Sequence, residues 1–225
     1  MAVLIFEIHP FKVCVVAAAL FLASCRDSQE RTSQSPALSN EVAAIRTEIG
    51  RHRSLSADIR AAVTKQGAEL DKLLSNPQIE SFVKAASANQ RAPNSTETAA
   101  LDAAWAQAGA GDPLVRKVSD NPCSTQLLAF QKEHPVFAEI FITDSNGFNI
   151  CQTNKTSDYF QADEGWWKEG YSDGKGAIGF GSIELDKSAG IEAIPIHLPI
   201  YDSNSHVAIG VAKGVLNLTR IIAEL

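Results

Sequence analysis

Phe137-Ala138-Glu139-Ile140-Phe141-Ile142, then Thr143-Asp144-Ser145-Asn146-Gly147, then Phe148-Asn149-Ile150-Cys151-Gln152, reads as one β-hairpin, and the rest of the fold is read outward from it. The first run is apolar and β-prone. Asp144 to Gly147 is a turn with glycine where positive φ is cheap, and Phe148 to Gln152 returns. Behind it stands Tyr159-Phe160-Gln161-Ala162-Asp163-Glu164-Gly165-Trp166-Trp167, which carries two of the chain's 3 tryptophans. An aromatic helix or loop leaving the second strand of a hairpin lies over the sheet and walls a small apolar pocket with a few polar groups in it.

Toward the C-terminus three further strands are expected, Ala177 to Leu185, Glu192 to Pro199 and Val207 to Leu216, followed by a short final helix. Turns at Lys187-Ser188-Ala189-Gly190 and Tyr201-Asp202-Ser203-Asn204-Ser205 separate them. Ile194, Ile196 and Leu198 alternate onto one face, as in a sheet covered on one side. That pattern leaves His197 opposite, as a solvated histidine.

Toward the N-terminus, Leu38 to Leu74 is helical. Val42, Ile45, Ile49, Ile59, Val63, Leu70 and Leu73 form a stripe at spacings of three and four or their sums, with His52, Ser56 and Gln66 occupying the same stripe in the middle. The reading is one long helix packed on its own domain, with a parallel homodimer through this helix as the second expectation. Asn76-Pro77 supplies an N-cap and a first-turn proline for a helix through Ala88. The polar Asn89 to Thr96 leads to helices at about Glu97 to Ala108 and Cys123 to Glu133. The fold class is α+β: a long N-terminal helix plus additional helices on a five-stranded antiparallel sheet. The domain covers residues 40–225, divided into a long helix (40–75), a helical segment (76–134) and the sheet (135–225).

Val13 to Ala23, preceded by Lys12, is too short to span a bilayer and ends in small residues, so it reads as a secretory signal. Leu22-Ala23-Ser24-Cys25 resembles the bacterial lipobox. The resemblance implies a signal peptide of residues 1–24, a diacylated Cys25, a flexible tether over residues 25–39, and a membrane-anchored protein facing the periplasm. Arg26 after the cysteine favours the outer membrane. Cys14 leaves with the signal and Cys25 is acylated, so Cys123 and Cys151 remain in an oxidising space. They are expected to form a disulfide, two buried unpaired cysteines being the alternative.

Across 225 residues the hydrophobic content is 45%, enough for a single core, and the net charge is −6. With no basic stripe, nucleic acid is excluded as a partner. No nucleophile elbow or His-Glu-x-x-His helix is present, and the 5 histidines are scattered, so no enzyme is read here. Asp158, Asp163, Glu164, Glu184 and Asp186 offer hard oxygen ligands, but their spacing fits no EF-hand loop; they read as solvated charges, and neither metal nor cofactor is expected.

Phe141-Ile142-Thr143-Asp144-Ser145-Asn146-Gly147, Thr153 to Tyr159, Trp166-Trp167, Leu198-Pro199-Ile200-Tyr201-Asp202 and Ile209-Gly210-Val211 occur in an order similar to that of the extracytoplasmic Cache (PAS-like) sensor domains of bacterial chemoreceptors and histidine kinases. The resemblance covers about Glu41 to Leu225 and implies a PAS-like sheet with a ligand pocket. Tyr159 and Trp166 match positions that read an amino-acid carboxylate in that family. Glu164 stands where an arginine would be, Trp167 replaces a tyrosine, and the family's ammonium-binding aspartate is missing from Val211 to Leu216, where Lys213 is the only charge. The ligand set implied is Tyr159, Glu164, Trp166, Trp167, Tyr171, Glu184, Asp186 and Lys213. A carboxylate cannot hold another carboxylate, so the ligand expected is an amine, another cation or a neutral metabolite rather than a standard amino acid. The function expected is a ligand-binding sensory lipoprotein that signals through a separate membrane receptor, kinase or cyclase. The alternative is a structural or interaction lipoprotein of the envelope with a degenerate pocket.

Overall fold

The computed structural model describes residues 55–88, 94–186 and 190–225. The expectations for Cys25, the signal, the tether and the helix residues before Leu55 lie outside them; Leu55 and Ser56 themselves are not helical, Ser56 being an extended N-cap, so the helix expected to run unbroken from Leu38 to Leu74 starts anew at Ala57. The first five described helices each begin on a residue suited to start them. Helix α1 (Ala57–Leu74) has Ser56 accepting from Ile59 N, and α2 (Pro77–Ala88) has Asn76 Oδ1 accepting from Gln78 N at 2.9 Å. Helix α3 (Ser95–Gln107) opens with a reciprocal Asn94/Glu97 capping box. Helices α4 (Pro113–Ser119) and α5 (Pro122–Glu133) follow Asp112 and Asn121 caps with proline in the first turn.

Strands β1 (Phe137–Asp144) and β2 (Asn149–Gln152) form the expected hairpin. Asp144 Oδ1 accepts from Asn146 N and Phe148 N, and Gly147 takes φ of +86° against the backbone of Ala162, where a Cβ has no room. The crossover contains α6 (Gly165–Tyr171) and a 3-10 turn (Ser172–Gly174). Then come β3 (Gly179–Phe180), β4 (Glu184–Asp186), β5 (Ile191–Tyr201), β6 (Ala208–Asn217) and α7 (Leu218–Ala223). The order is β2-β1-β6-β5-β3, with β4 also on β5, and every pairing is antiparallel.

Several details differ from the sequence reading, among them helix α4, a segment that reading left without an element. The strand expected over Ala177 to Leu185 is split into β3 and β4, so the sheet has six strands. Pro195 explains the split: its carbonyl accepts from Gly181 N at 2.8 Å, but it has no N–H to return on that side, so the ladder stops and resumes at Ala193. The sheet is also covered on both faces. Ile140, Ile142, Ile194, Ile196, Leu198 and Leu216 join Val63 and Leu70 of α1, Ile79 and Val83 of α2 and Leu127 of α5 in one core. On the other face α6 lies against β5 and β6, and β5 is buried from Ala193 to Ile200. His197 is therefore buried, 4% exposed, instead of solvated.

Cys123 at the start of α5 is bonded to Cys151 on β2, with the Cα atoms 5.8 Å apart. Among the described residues no helix is long and apolar enough to cross a membrane.

Candidate ligand site

Strand register builds the floor under α6. Phe141 on β1 is opposite Lys213 on β6, Lys213 is opposite His197 on β5, and His197 is opposite Gly179 on β3, so the four form one row across the sheet. Paired residues share a face, so the row's side chains stand together. In the next row Thr143 is opposite Val211, and Val211 opposite Pro199.

Helix α6 presses two consecutive tryptophans onto this floor in different ways. Trp167 enters it: its Nε1 donates to Thr143 Oγ1 at 2.8 Å, Thr143 Oγ1 donates to Val211 O at 3.1 Å, and the indole stacks on Tyr171 with ring centroids 4.7 Å apart. Trp166 stays half-buried, edge-on to Phe141 at 5.6 Å, with its ring 6.3 Å from that of His197. Lys213 Nζ lies 4.9 Å from the centre of the Trp166 ring and 6.0 Å from that of Phe141, an internal cation–π contact. The helix ends in a left-handed bend, Ser172 at φ +46° and Asp173 at φ +53°. Such conformations cost non-glycine residues about 1 kcal/mol or more and persist where surrounding contacts hold them.

The imidazole of His197 fits because Gly170 and Gly179 lack side chains: a Cβ on Gly179 would lie 2.1 Å from Nε2, and one on Gly170 3.0 Å from Cδ2. Burial, and then the charge of Lys213, push the His197 pKa down to about 4, so the ring is neutral at pH 7. Burial, followed by the Asp144 and Asp173 carboxylates, raises the pKa of the Tyr171 hydroxyl. The carboxyl of Asp144 is likewise raised by burial, against the hydrogen bonds it accepts from the turn. The face thus offers one ammonium, a neutral imidazole and a hydroxyl below an aromatic lid.

Trp166, Trp167, Tyr171 and Lys213 of the expected set come together here. Glu164 is exposed at the N-cap of α6, its side chain making no capping bond, and Glu184 is exposed on β4, the strand that also carries Asp186. Tyr159 lies elsewhere: it stacks on Trp105 at 5.2 Å and packs on Phe148. Asp102 Oδ1 holds that turn by accepting from the backbone N–H groups of Tyr159 and Phe160, each at 2.9 Å. Among the described residues no three His, Cys, Asp or Glu side chains gather in a way that could hold a metal. Thr143 and His197 were missed as site residues; counting strand register outward from the two turns brings His197 opposite Lys213 and is the signal that finds it.

No protein-family profile matches the chain, and no curated protein matches it. Among solved structures it is similar to the E. coli DcuS sensor domain at 19% identity and a TM-score of 0.34, over 57% of this chain and 92% of that one. It is similar to the ligand-binding domain of the Campylobacter jejuni chemoreceptor Tlp3 in complex with 4-methylisoleucine at 15% identity and a TM-score of 0.37, over 74% of this chain and 62% of that one. For the ligand-binding domain of the Pseudomonas aeruginosa PAO1 amino acid chemoreceptor PctC in complex with GABA the values are 15% and 0.36, over 68% and 59%. The chain thus spans 62% and 59% of the lengths of the two chemoreceptor domains. All three are described as sensor or ligand-binding domains.

Proposed function

We propose that the chain is an extracytoplasmic ligand-binding sensor, anchored to the envelope by an acyl group on Cys25 after loss of residues 1–24. It takes a small molecule between α6 and the sheet and signals through a separate membrane receptor, kinase or cyclase, its leading helix offering a homodimer seam. The observation that carries this reading is the row Phe141, Lys213, His197 and Gly179 under Trp166. A face closed for packing alone takes apolar residues, because a desolvated imidazole or ammonium costs free energy unless something pairs with it. Here the imidazole is buried and the half-buried Lys213 ammonium rests against the Trp166 ring, under a lid of seven residues tied down by the indole bond from Trp167. A ligand that inserts against Lys213 changes the seating of α6, and a shifted α6 is a surface change that a partner reads.

The residue in charge of ligand polarity separates two readings. An amine, other cation or neutral metabolite rests on Glu164, in the place of the family arginine. A small anion rests on Lys213, and one observation favours it: the Lys213 ammonium already occupies the Trp166 ring face that an amine would take, while Glu164 is exposed at the helix start. An anion pairs with Lys213 without displacing it.

The test is a thermal-shift screen of amines, amino acids, organic acids and Ca²⁺, followed by calorimetric titration of the hit against wild type, Lys213→Met and Glu164→Gln. A charge-assisted contact contributes about 1.5 to 3 kcal/mol, so the responsible variant loses roughly tenfold to a hundredfold in affinity. Loss in Lys213→Met alone assigns an anion, and loss in Glu164→Gln alone assigns a cation. A hit insensitive to both, and to Trp166→Ala, places ligand binding elsewhere. A screen with no hit supports the interaction lipoprotein instead.

A further inference from the structure

A second cavity, ≈ 380 Å³, opens between α2, α4 and β2, and none of its lining residues belongs to α6, β5 or β6. Its volume falls in the range of small-molecule sites, about 300 to 1,000 Å³. Phe82, Ala85 and Ala86 of α2, Val118 of α4, Ile150 of β2 and Tyr159 make the wall mostly apolar. The wall is braced from behind: Tyr159 stacks on Trp105 at 5.2 Å, and Cys151, next to Ile150, is bonded to Cys123.

The polar groups of the wall decide what the space accepts. Asn121 is saturated: its amide nitrogen donates to Lys117 O, Val118 O and Ile150 O, and its Oδ1 accepts from Ser124 N. That amide covers carbonyls at the end of α4 whose partial negative charge would otherwise repel an anion. Asn149 is fully buried, with its amide nitrogen donating to Thr156 Oγ1 and Asp158 O, which uses both hydrogens. Lys117 differs from both. It stands exposed in the last turn of α4 and is the one charged residue among the described residues that line the cavity. Among the described residues no carboxylate pairs with it; the neighbouring Arg116 is the one that takes Asp120. An apolar space beside one unpaired ammonium is complementary to an apolar molecule that ends in an anion.

We propose that this cavity is a second ligand site, for an aryl or alkyl carboxylate. The hydrocarbon body fills the space against Phe82, Val118, Ile150 and Tyr159, and the carboxylate stays on the solvent side, paired with the Lys117 ammonium. The proposal is independent of the α6 site, where Lys213 is the cation.

Phenylacetate is the probe, with 2-phenylethylamine and toluene as the cationic and neutral comparisons, each titrated by calorimetry into the whole mature chain at low salt. Phenylacetate is expected to bind roughly fivefold to tenfold more tightly than either comparison, the range of a charge-assisted contact open to solvent. That advantage is expected to vanish in Lys117→Met, which keeps an apolar stem, and to persist in Lys213→Met. Ala86→Phe, which adds a ring from the cavity wall and removes no hydrogen bond, is expected to abolish binding while the circular dichroism spectrum of the fold is kept. If Ala86→Phe does not fold, Lys117→Met, a substitution at an exposed position, decides the matter. Equal affinity for phenylacetate and 2-phenylethylamine overturns the proposal. So does unchanged phenylacetate binding in Lys117→Met or in folded Ala86→Phe, its loss in Lys213→Met, or no binding by any probe at saturating concentration.

Discussion

His197 holds its imidazole between Gly170 and Gly179, and its pKa is pushed down to about 4 from an ordinary 6.5 by burial and the Lys213 charge. The linkage follows from which state takes the proton. Above pH 6.5 the ring is neutral in both states. Between 6.5 and about 4 the unfolded chain binds a proton and the folded chain does not, so this residue's contribution to stability is full above 6.5 and is lost as pH falls through that window. From pH 7.5 to pH 4.5 the loss is about 2 to 3 kcal/mol. Urea unfolding of wild type and His197→Gln at the two pH values checks it: the difference between them is expected to shrink by that amount at the lower pH, and a pH-independent difference contradicts a buried neutral ring. The fate of the two tryptophans is decided on the same scale. One position of helical rotation puts Trp167 on Thr143 and leaves Trp166 half-buried beside Lys213.

Among the elements, β2 is a short edge strand, and its attachment rests on more than its ladder to β1. Cys151 bonds to Cys123 in α5, Gln152 N donates to Ser124 Oγ at 3.0 Å, and Asn121 Nδ2 donates to Ile150 O at 3.0 Å. On the chain-entropy account a bridge across 28 residues stabilises by about 3 to 4 kcal/mol. The double variant Cys123→Ala, Cys151→Ala is expected to lose that amount in urea unfolding, and non-reducing peptide mass mapping of the wild type is expected to show the two cysteines joined. A double variant as stable as the wild type would show that the helix caps and the hairpin already hold β2. The neighbouring helix α2 is tied to the far end of the sheet by Lys84, which bridges Glu80 at 2.6 Å and Asp202 at 2.9 Å.

On the scale of the whole molecule, the acyl anchor is the expectation that decides where the protein works. Acylation needs the thiol, so Cys25→Ser is expected to move the protein from the membrane fraction to the soluble periplasmic extract. Unchanged membrane retention of that variant rules the anchor out. The α+β architecture was legible because its signals are local. The hairpin follows from the Asp144–Gly147 turn, the start of α2 from Asn76-Pro77, and the Cys123–Cys151 bond from there being no other candidate pair, all of which act within a few residues or by elimination. What the sequence by itself determined is the kind and order of most of the elements, since caps, turn chemistry and apolar periodicity are short-range. Which side chains share a space was decided only by the tertiary structure. Tyr159 and Trp166 are near neighbours in the chain, yet Asp102 and Trp105 draw one away from α6 while Phe141 and Lys213 receive the other. His197 looks solvated on an alternating strand until α6 covers that face, and Pro195 breaks the strand beside it only once β3 and β4 pair with β5. Register and coverage arise from contacts between residues far apart in the chain, and no local pattern encodes them.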